Sequence, residues 1–272
     1  PDSIDSVSNI VNVIFEDHSG GLWIGTAGGG LKKFDREKET FIHYQVFRVS
    51  PGDARNASDP ASNRPGLNTI DALWEDYSGT LWIGTNEGLY RLDQGKTHPV
   101  PAGLEGKKIL ALYEDKAGIS WVGTGSGFYS FVPGKGNGSR EFVPYRLPAD
   151  EKNRATANTI RTFYEDRLGI FWIGTDYGLY TFDRQKNEYL AYREDPNDPY
   201  SLIGNDVRDI CEDRSGALWV GVYSGGLSQL SRTEQSFRHN YHALNKPGEH
   251  IYFRLVFEIY EDRQEIHWLG TY

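Results

Sequence analysis

Cysteine, methionine and long apolar runs are scarce or absent in this chain of 272 residues. Cys211 is its only cysteine and it has no methionine, so neither an intrachain disulfide nor a cysteine-based metal site can form. No apolar stretch approaches the roughly 18 residues of a membrane helix, and the first residues, PDSIDSVSN, lack the basic and apolar parts of a signal peptide. We therefore expect a globular segment without a membrane span.

Signatures of catalysis, metal binding and nucleic-acid binding are missing as well. The seven histidines are scattered, and the zinc motif H-E-x-x-H, the nucleophile elbow G-x-S-x-G, the phosphate-binding P-loop and the calcium loop D-x-D-x-D-G do not occur. The net charge is −9, with 38 acidic and 29 basic residues and no cluster of Lys and Arg, which argues against nucleic acid as a partner. We expect no catalytic residue, no metal and no cofactor.

What the chain has is a phrase repeated six times. Glu-Asp is followed, six residues after the Asp, by a tryptophan, an apolar residue and glycine, as in EDHSGGLWIGT from Glu16. The repeated tryptophans are Trp23, Trp82, Trp121, Trp172, Trp219 and Trp268. Twelve of the 38 acidic residues belong to these phrases, so the acidity comes mostly from the motif. A fixed core with variable connections is typical of stacked repeats.

Each repeat reads as strands separated by turns. A β-branched and aromatic run precedes the Asp, the Asp and a following Gly supply turn chemistry, and apolar runs with glycine turns come after the Trp. Four short antiparallel strands per unit of about 40 to 50 residues indicate an all-β fold, a β-propeller of four-stranded blades. We place five full repeats and a partial sixth at 10–44, 69–100, 108–145, 159–192, 206–241 and 255–272, with a long loop at 46–68.

The repeated residues are interpreted as architecture. Six equivalent Glu-Asp pairs are too many for one active site, and a turn-forming Asp explains its spacing. Each repeated Trp is expected to pack between adjacent blades, and the Gly two residues later to allow a close approach. Cys211 occupies a position that is aromatic in the other copies, which favours a buried structural thiol. Glu265 replaces the turn Gly of the sixth copy, so we expect that turn to be irregular.

The recurring I-x-x-x-x-E-D-x-x-G-x-L-W-I-G-T-x-x-G-L closely resembles the two-component regulator propeller repeat, over nearly the whole chain from Ile10 to Tyr272. The resemblance implies a sensor segment in the periplasm, part of a seven-bladed propeller, in a full-length histidine kinase or hybrid two-component protein attached to the inner membrane. It also implies an oligosaccharide ligand. The partners to expect are a neighbouring propeller or Ig-like domain of the same protein, or a second copy in a homodimer.

Recognition should depend on positions where the repeats differ. The innermost strands begin with different residues at equivalent places, among them Arg161 and Arg208, which would suit a carboxylate or sulfate. The alternative is that these arginines form ion pairs with neighbouring aspartates or lie in solvent. The turns after the Trp strands lie on the face of the blade-to-blade linkers, which is our candidate binding surface. The further ligand-binding candidates on it are Asn86, Glu87, Asp176, Tyr177 and Tyr223.

The sequence thus favours a non-catalytic sensor propeller, with two alternatives. One is a polysaccharide lyase or hydrolase on the same scaffold, which would need a convergent cluster of Tyr, His, Arg or carboxylate. The other is a scaffold that mediates only protein contacts or dimerisation. Because the sixth copy stops at Tyr272 before its third strand, we expect the chain to be a fragment with further blades.

Overall fold

The computed structural model describes residues 10–44, 69–93, 96–99, 104–131, 141–232, 236–239 and 255–271. The 46–68 loop therefore lies outside the described residues. Contacts divide the chain into two compact units, unit 1 with residues 1–125 and 129–144 and unit 2 with residues 126–128 and 145–272. The predicted all-β class is confirmed, since these described residues form five antiparallel sheets of four strands each and a sixth sheet of two.

The strands follow one another along the chain as consecutive neighbours within each sheet, and each sheet is called a blade. Blade 1 contains β1 to β4 (Val11–Glu16, Leu22–Thr26, Leu31–Asp35, Thr40–Tyr44) and blade 2 contains β5 to β8 (Ile70–Glu75, Leu81–Thr85, Gly88–Asp93, Lys96–Pro99). Blade 3 contains β9 to β12 (Ile109–Glu114, Ser120–Thr124, Gly127–Phe131, Val143–Tyr145) and blade 4 contains β13 to β16 (Ile160–Glu165, Phe171–Thr175, Gly178–Asp183, Glu188–Tyr192). Blade 5 contains β17 to β20 (Val207–Glu212, Leu218–Val222, Gly226–Ser231, Ser236–His239) and blade 6 contains β21 and β22 (Val256–Glu261, His267–Thr271). A four-residue helix, α1 (Arg154–Ala157), precedes blade 4 and was not predicted.

The repeated Asp holds the first hairpin turn and the Trp together. In blade 1 the Asp17 carboxylate accepts hydrogen bonds from the backbone N–H of Gly21 at 2.6 Å and from the Trp23 indole at 2.8 Å. The indole-to-carboxylate bond recurs in all six copies at 2.7 to 3.0 Å. One carboxylate thus satisfies turn donors and an indole donor, which explains the constant Asp-to-Trp offset of six.

The repeated Glu connects neighbouring blades. Glu75 of blade 2 accepts the backbone N–H of His18 in the blade 1 turn at 2.6 Å. In unit 2, Glu212 accepts the N–H of Arg167 at 2.7 Å and Glu261 accepts that of Arg214 at 3.0 Å. Each of these three Glu side chains therefore accepts a donor that the preceding turn leaves without a backbone partner.

Trp23, Trp82 and Trp172 lie between blades, as predicted, whereas Trp268 of blade 6 is 59% exposed. Trp23 packs with Ile70 and Leu81 of blade 2, while the fully buried Trp82 packs with Ile109 and Phe131 of blade 3. Trp172 packs in the same way with Val207, Leu218 and Val220 of blade 5. Burial of so large a ring contributes about 3 kcal/mol or more to stability at each interface.

The glycine two residues after each Trp permits this packing. A Cβ on Gly174 would lie 2.7 Å from Cγ1 of Val207 in the next blade and 2.7 Å from Cγ2 of Thr162 in its own. A Cβ on Gly84 would lie 2.8 Å from Cγ2 of Ile109. The close approach predicted for this position is confirmed.

The sixth turn is regular, contrary to our expectation. Glu265 adopts a positive φ of 63°, in the region where the turn glycines of the other blades lie, such as Gly169 at 78°. The turn keeps both of its backbone hydrogen bonds, from Asp262 N–H to Ile266 at 2.9 Å and from Glu265 N–H to Asp262 at 3.1 Å. The expectation was wrong because the Asp262 carboxylate, which accepts two backbone N–H groups as well as the Trp268 indole, fixes the turn without glycine.

Candidate ligand-binding site

The turn after each Trp strand lies beside the linker that precedes its blade, as predicted. In unit 2 the backbone N–H of Asp176 donates to Thr159 at 3.3 Å, and that of Tyr223 donates to Asp206 at 2.8 Å. We call this surface of unit 2, formed by turns 176–177 and 223–225 and the starts of β13, β17 and β21, the linker face.

The innermost strand of every blade has a bulge at its second residue, where the register to its neighbour shifts by one. These bulge residues are Asn12, Asp71, Leu110, Arg161, Arg208 and Phe257. A bulge re-aims a side chain that the ladder would otherwise fix. The bulge thus falls at a position where the six repeats differ.

In blade 4 the bulge residue and the turn form an ion pair. Nε of Arg161 donates to Oδ1 of Asp176 at 2.5 Å, and the terminal nitrogen Nη2 donates to Oδ2 at 2.8 Å. Both groups are about one quarter exposed, at 24% and 22% of their side chains. Both residues were predicted from the sequence as ligand-binding residues. The structure brings them together, but they bind each other.

In blade 5 the second bulge arginine contacts its own carboxylate and an aromatic ring. Arg208 donates to Asp206 at 2.7 Å, which is the ion pair that we weighed as the alternative for this residue. Its guanidinium carbon lies 4.7 Å from the centre of the Tyr223 ring, a cation–π distance. The Nε of Arg208 and the Oδ1 of Asp206 are buried and have no protein hydrogen-bond partner.

Phe257, the bulge residue of blade 6, extends this aromatic group. Its ring lies 5.4 Å from that of Tyr223 in an edge-to-face arrangement, and the residue is 42% exposed. Phe257 was not among the predicted site residues. The sequence signal that could have found it is its place in the repeat, which is equivalent to the places of Arg161 and Arg208.

The backbone beside Tyr223 is strained. Ser224 has a φ of 72°, whereas the equivalent residue of blade 1 is Gly28 at 92°. A non-glycine residue in this region costs on the order of 1 to 3 kcal/mol, and such residues cluster at functional sites. The turn that carries Tyr223 is therefore held in a conformation that its sequence does not prefer.

Tyr177, predicted for the site, is held by Arg193. The guanidinium carbon lies 4.6 Å from the Tyr177 ring centre, and the same side chain donates to the Tyr180 hydroxyl at 2.8 Å. This arrangement covers one side of the Tyr177 ring. Tyr177 is consequently a less accessible platform than the pair of Tyr223 and Phe257.

Asn86 and Glu87 occupy the equivalent turn of blade 2, in unit 1. The backbone N–H of Glu87 donates to the Thr85 hydroxyl at 3.1 Å, and its carbonyl accepts from Gly106 at 2.8 Å. Their backbone therefore fixes this turn against the linker. The two residues belong to a different unit from the other five candidates.

Two groups of β17 have shifted pKa values, Asp209 next to the bulge and Cys211 near the other end of the strand. Burial raises the pKa of Asp209 to about 7, although backbone N–H groups of Ile259 and Ile210 donate to it and act in the opposite sense. Burial likewise raises the pKa of the half-buried Cys211 thiol to about 11. A thiol with that pKa is not a nucleophile at neutral pH.

The described part of the chain contains no group of three or more His, Cys, Asp or Glu side chains arranged to hold a metal ion. Within the same residues no helix is long and apolar enough to cross a membrane.

The blades, their Asp-to-Trp bonds and their bulged inner strands define a β-propeller built from sequence repeats. The family model described as "Two component regulator propeller" matches residues 5–28, 156–177 and 201–224. Three segments of the chain thus match this repeat, and the predicted resemblance is confirmed there. No curated protein sequence matches the chain.

Solved structures confirm the propeller fold. The extracellular domain of a protein named as a hybrid two component system from B. thetaiotaomicron is 20% identical with a TM-score of 0.71, and the match covers 97% of this chain and 32% of that one. PorZ, a surface component of the type-IX secretion system of Porphyromonas gingivalis, is 19% identical with a TM-score of 0.65, covering 96% and 37%. Virginiamycin B lyase from Staphylococcus aureus is 12% identical with a TM-score of 0.62, covering 98% and 86%. The chain spans about a third of the length of the first two proteins, and these likenesses show the fold alone.

Proposed function

We propose that this chain is a non-catalytic sensor segment of a two-component signalling protein, located outside the cytoplasm, which binds an oligosaccharide on the linker face of unit 2. The observation that carries the proposal is that the repeated residues and the variable residues of the repeats have different roles. The repeated Asp, Glu, Trp and Gly are all engaged in holding turns and blades together. Residues that differ between copies lie at the bulges and at the turns beside them, and these are the positions that we assign to ligand binding.

The chemistry of the linker face suits a sugar. Sugar rings bind to aromatic side chains through their C–H faces and to paired donors and acceptors through their hydroxyls. The exposed Phe257 ring, packed edge to face on Tyr223, offers the first kind of contact. The ion pairs of Arg161 with Asp176 and of Arg208 with Asp206 offer the second.

Signalling would follow from a population shift. A ligand that favours one arrangement of this propeller against a neighbouring domain, or against a second copy, changes the populations of the two arrangements by its differential affinity. The family of the repeats, together with the likeness to an extracellular domain of a two-component protein, supports a periplasmic location and a histidine kinase as the output.

Binding by calorimetry against a panel of oligosaccharides tests the proposal. We expect at least one sugar to bind the native chain and to lose most of its affinity in Phe257→Ala. The matched control is Tyr77→Ala, which removes an aromatic side chain that is 83% exposed at a β5–β6 turn. Equal losses in both variants, or no binding by any sugar, would contradict the proposed site.

The enzyme alternative is tested in the same samples. Each oligosaccharide and its parent polysaccharide is incubated with the protein, and released products are measured by chromatography. We expect no products. Product release that disappears in a single linker-face variant would replace the sensor by a lyase or hydrolase.

A further inference from the structure

We propose that the linker face of unit 2 is built for a neutral glycan and discriminates against uronate or sulfated sugars. This rests on the proposed function, because it names the class of ligand for the same site. The proposal comes from the pairing of the two bulge arginines, which in the sequence alone looked suited to a carboxylate or sulfate.

The Arg161 guanidinium is already engaged by a carboxylate in a two-point contact. Its Nε and Nη2 both donate to Asp176, at 2.5 and 2.8 Å. Bidentate recognition of a ligand carboxylate needs such a pair of donors. An anionic sugar that took them would leave Asp176, a carboxylate only 22% exposed, without its cation, and a partly buried unpaired charge is unfavourable.

Arg208 is restrained in a similar way. It donates to Asp206 at 2.7 Å while its plane covers the Tyr223 ring at 4.7 Å. Turning the guanidinium toward an anion would break both contacts. The side chains of Arg208 and Asp206 remain 20% and 30% exposed within this pair, so a hydroxyl group, which both accepts and donates, can bind beside it without separating them.

The local charge also offers an anion no net attraction. The two bulge arginines are balanced by Asp176 and Asp206. The third arginine of the face, Arg193 beside Tyr177, is balanced by the exposed Glu258 next to Phe257. A uronate or sulfate would therefore approach a surface without a positive balance.

A neutral ring fits these groups without breaking them. Its C–H face can lie on the exposed Phe257 ring, and neighbouring hydroxyls can donate to Asp206 and accept from Arg208. The strained turn at Ser224 holds Tyr223 as the support of both Phe257 and Arg208. The site is thus organised before a ligand binds, which reduces the entropy lost on binding.

Matched neutral and acidic oligosaccharides test the inference by calorimetry at two salt concentrations. The probes are tetrasaccharides of glucose, xylose, mannose and galactose, with tetragalacturonate and a sulfated disaccharide as the acidic arm. We expect a neutral sugar to bind with an affinity that changes little between 50 and 500 mM salt, and to bind about tenfold or more weakly in Phe257→Ala.

The variant Asp206→Asn tests whether removing this carboxylate lets the site bind an acidic sugar. It keeps the size of the side chain and releases the charge of Arg208, so we expect weaker binding of the neutral sugar and new, salt-sensitive binding of the acidic one. A conservative Phe257→Leu variant shows whether a loss in Phe257→Ala reflects the aromatic contact or a general failure to fold.

The outcomes separate the two proposals. Binding of the acidic probes alone to the native protein, weakening as salt is raised, would overturn the neutral-glycan inference and leave the sensor proposal standing. No binding by any probe would overturn the proposed function and the inference with it. An Asp206→Asn variant with unchanged preference would also contradict the role given to the ion pair.

Discussion

The replacement of one buried aspartate by asparagine should show how strongly the repeated phrase holds the propeller together. Asp166 is fully buried, and its Oδ1 accepts the backbone N–H groups of Leu168 and Ile170, both at 2.9 Å. Its Oδ2 accepts the Trp172 indole N–H and an Arg232 nitrogen, also at 2.9 Å. In Asp166→Asn the amide nitrogen must face one of these two pairs of donors, whichever way the amide turns.

Two buried donors therefore lose their acceptor in this variant. Each unsatisfied donor costs roughly 1 to 3 kcal/mol, so we expect Asp166→Asn to lower the free energy of unfolding by about 4 kcal/mol. The matched control is Asp262→Asn in blade 6. Asp262 makes the same turn and indole bonds, but its Trp268 is 59% exposed, so water can replace the lost acceptor and we expect about 1 kcal/mol or less.

Urea denaturation followed by circular dichroism measures both variants. The account requires a clearly lower midpoint for Asp166→Asn at an unchanged slope, and a midpoint near the native value for Asp262→Asn. Equally small losses in the two variants would refute the reasoning, because the carboxylate-to-indole bond would then not be what links turn and blade interface.

Three other changes follow from the same structure. The Asp209 pKa of about 7 exceeds its ordinary 3.8, so its stabilising contribution is complete below about pH 4 and is lost as the pH rises to about 7. Asp209→Asn should remove this pH-dependent loss, roughly 2 to 4 kcal/mol, in denaturation curves across that range. Glu265→Gly should raise the melting temperature, by relieving about 1 kcal/mol of positive-φ strain. Gly174→Ala should lower the free energy of unfolding by about 1 to 3 kcal/mol in urea, because its Cβ would lie 2.7 Å from Val207; an unchanged result in any of the three would contradict the corresponding contact.

The fold was predictable because the same pattern of strands and turns recurs six times in the sequence. The Asp-to-Trp offset, the turn glycines and the alternating apolar runs locate hairpins, and the structure has them where the pattern placed them. The Asp-to-indole bond and the Glu bond to the preceding blade were not predicted. The first underlies the constant offset of six, but turn chemistry alone does not imply an indole donor. The second joins residues of two different repeats, which no pattern within one repeat describes.

The candidate site was predictable only in part. The turns that carry Asp176 and Tyr223 and the strand starts that carry Arg161 and Arg208 were identified from their variation between copies. Their pairing was not, because the bulge that directs each side chain is set by strand register, which the sequence does not spell out. Phe257 was missed although its place in the repeat is equivalent to the places of Arg161 and Arg208.

Recognition is thus assigned to the residues that differ between copies, and the repeated phrase to the architecture. A crystal structure of the protein with the best-binding neutral oligosaccharide would show where the ligand lies. We expect a sugar ring on Phe257 with hydroxyls at Asp206 and Arg208. A sugar bound instead at the repeated Glu-Asp hairpin turns would contradict this assignment.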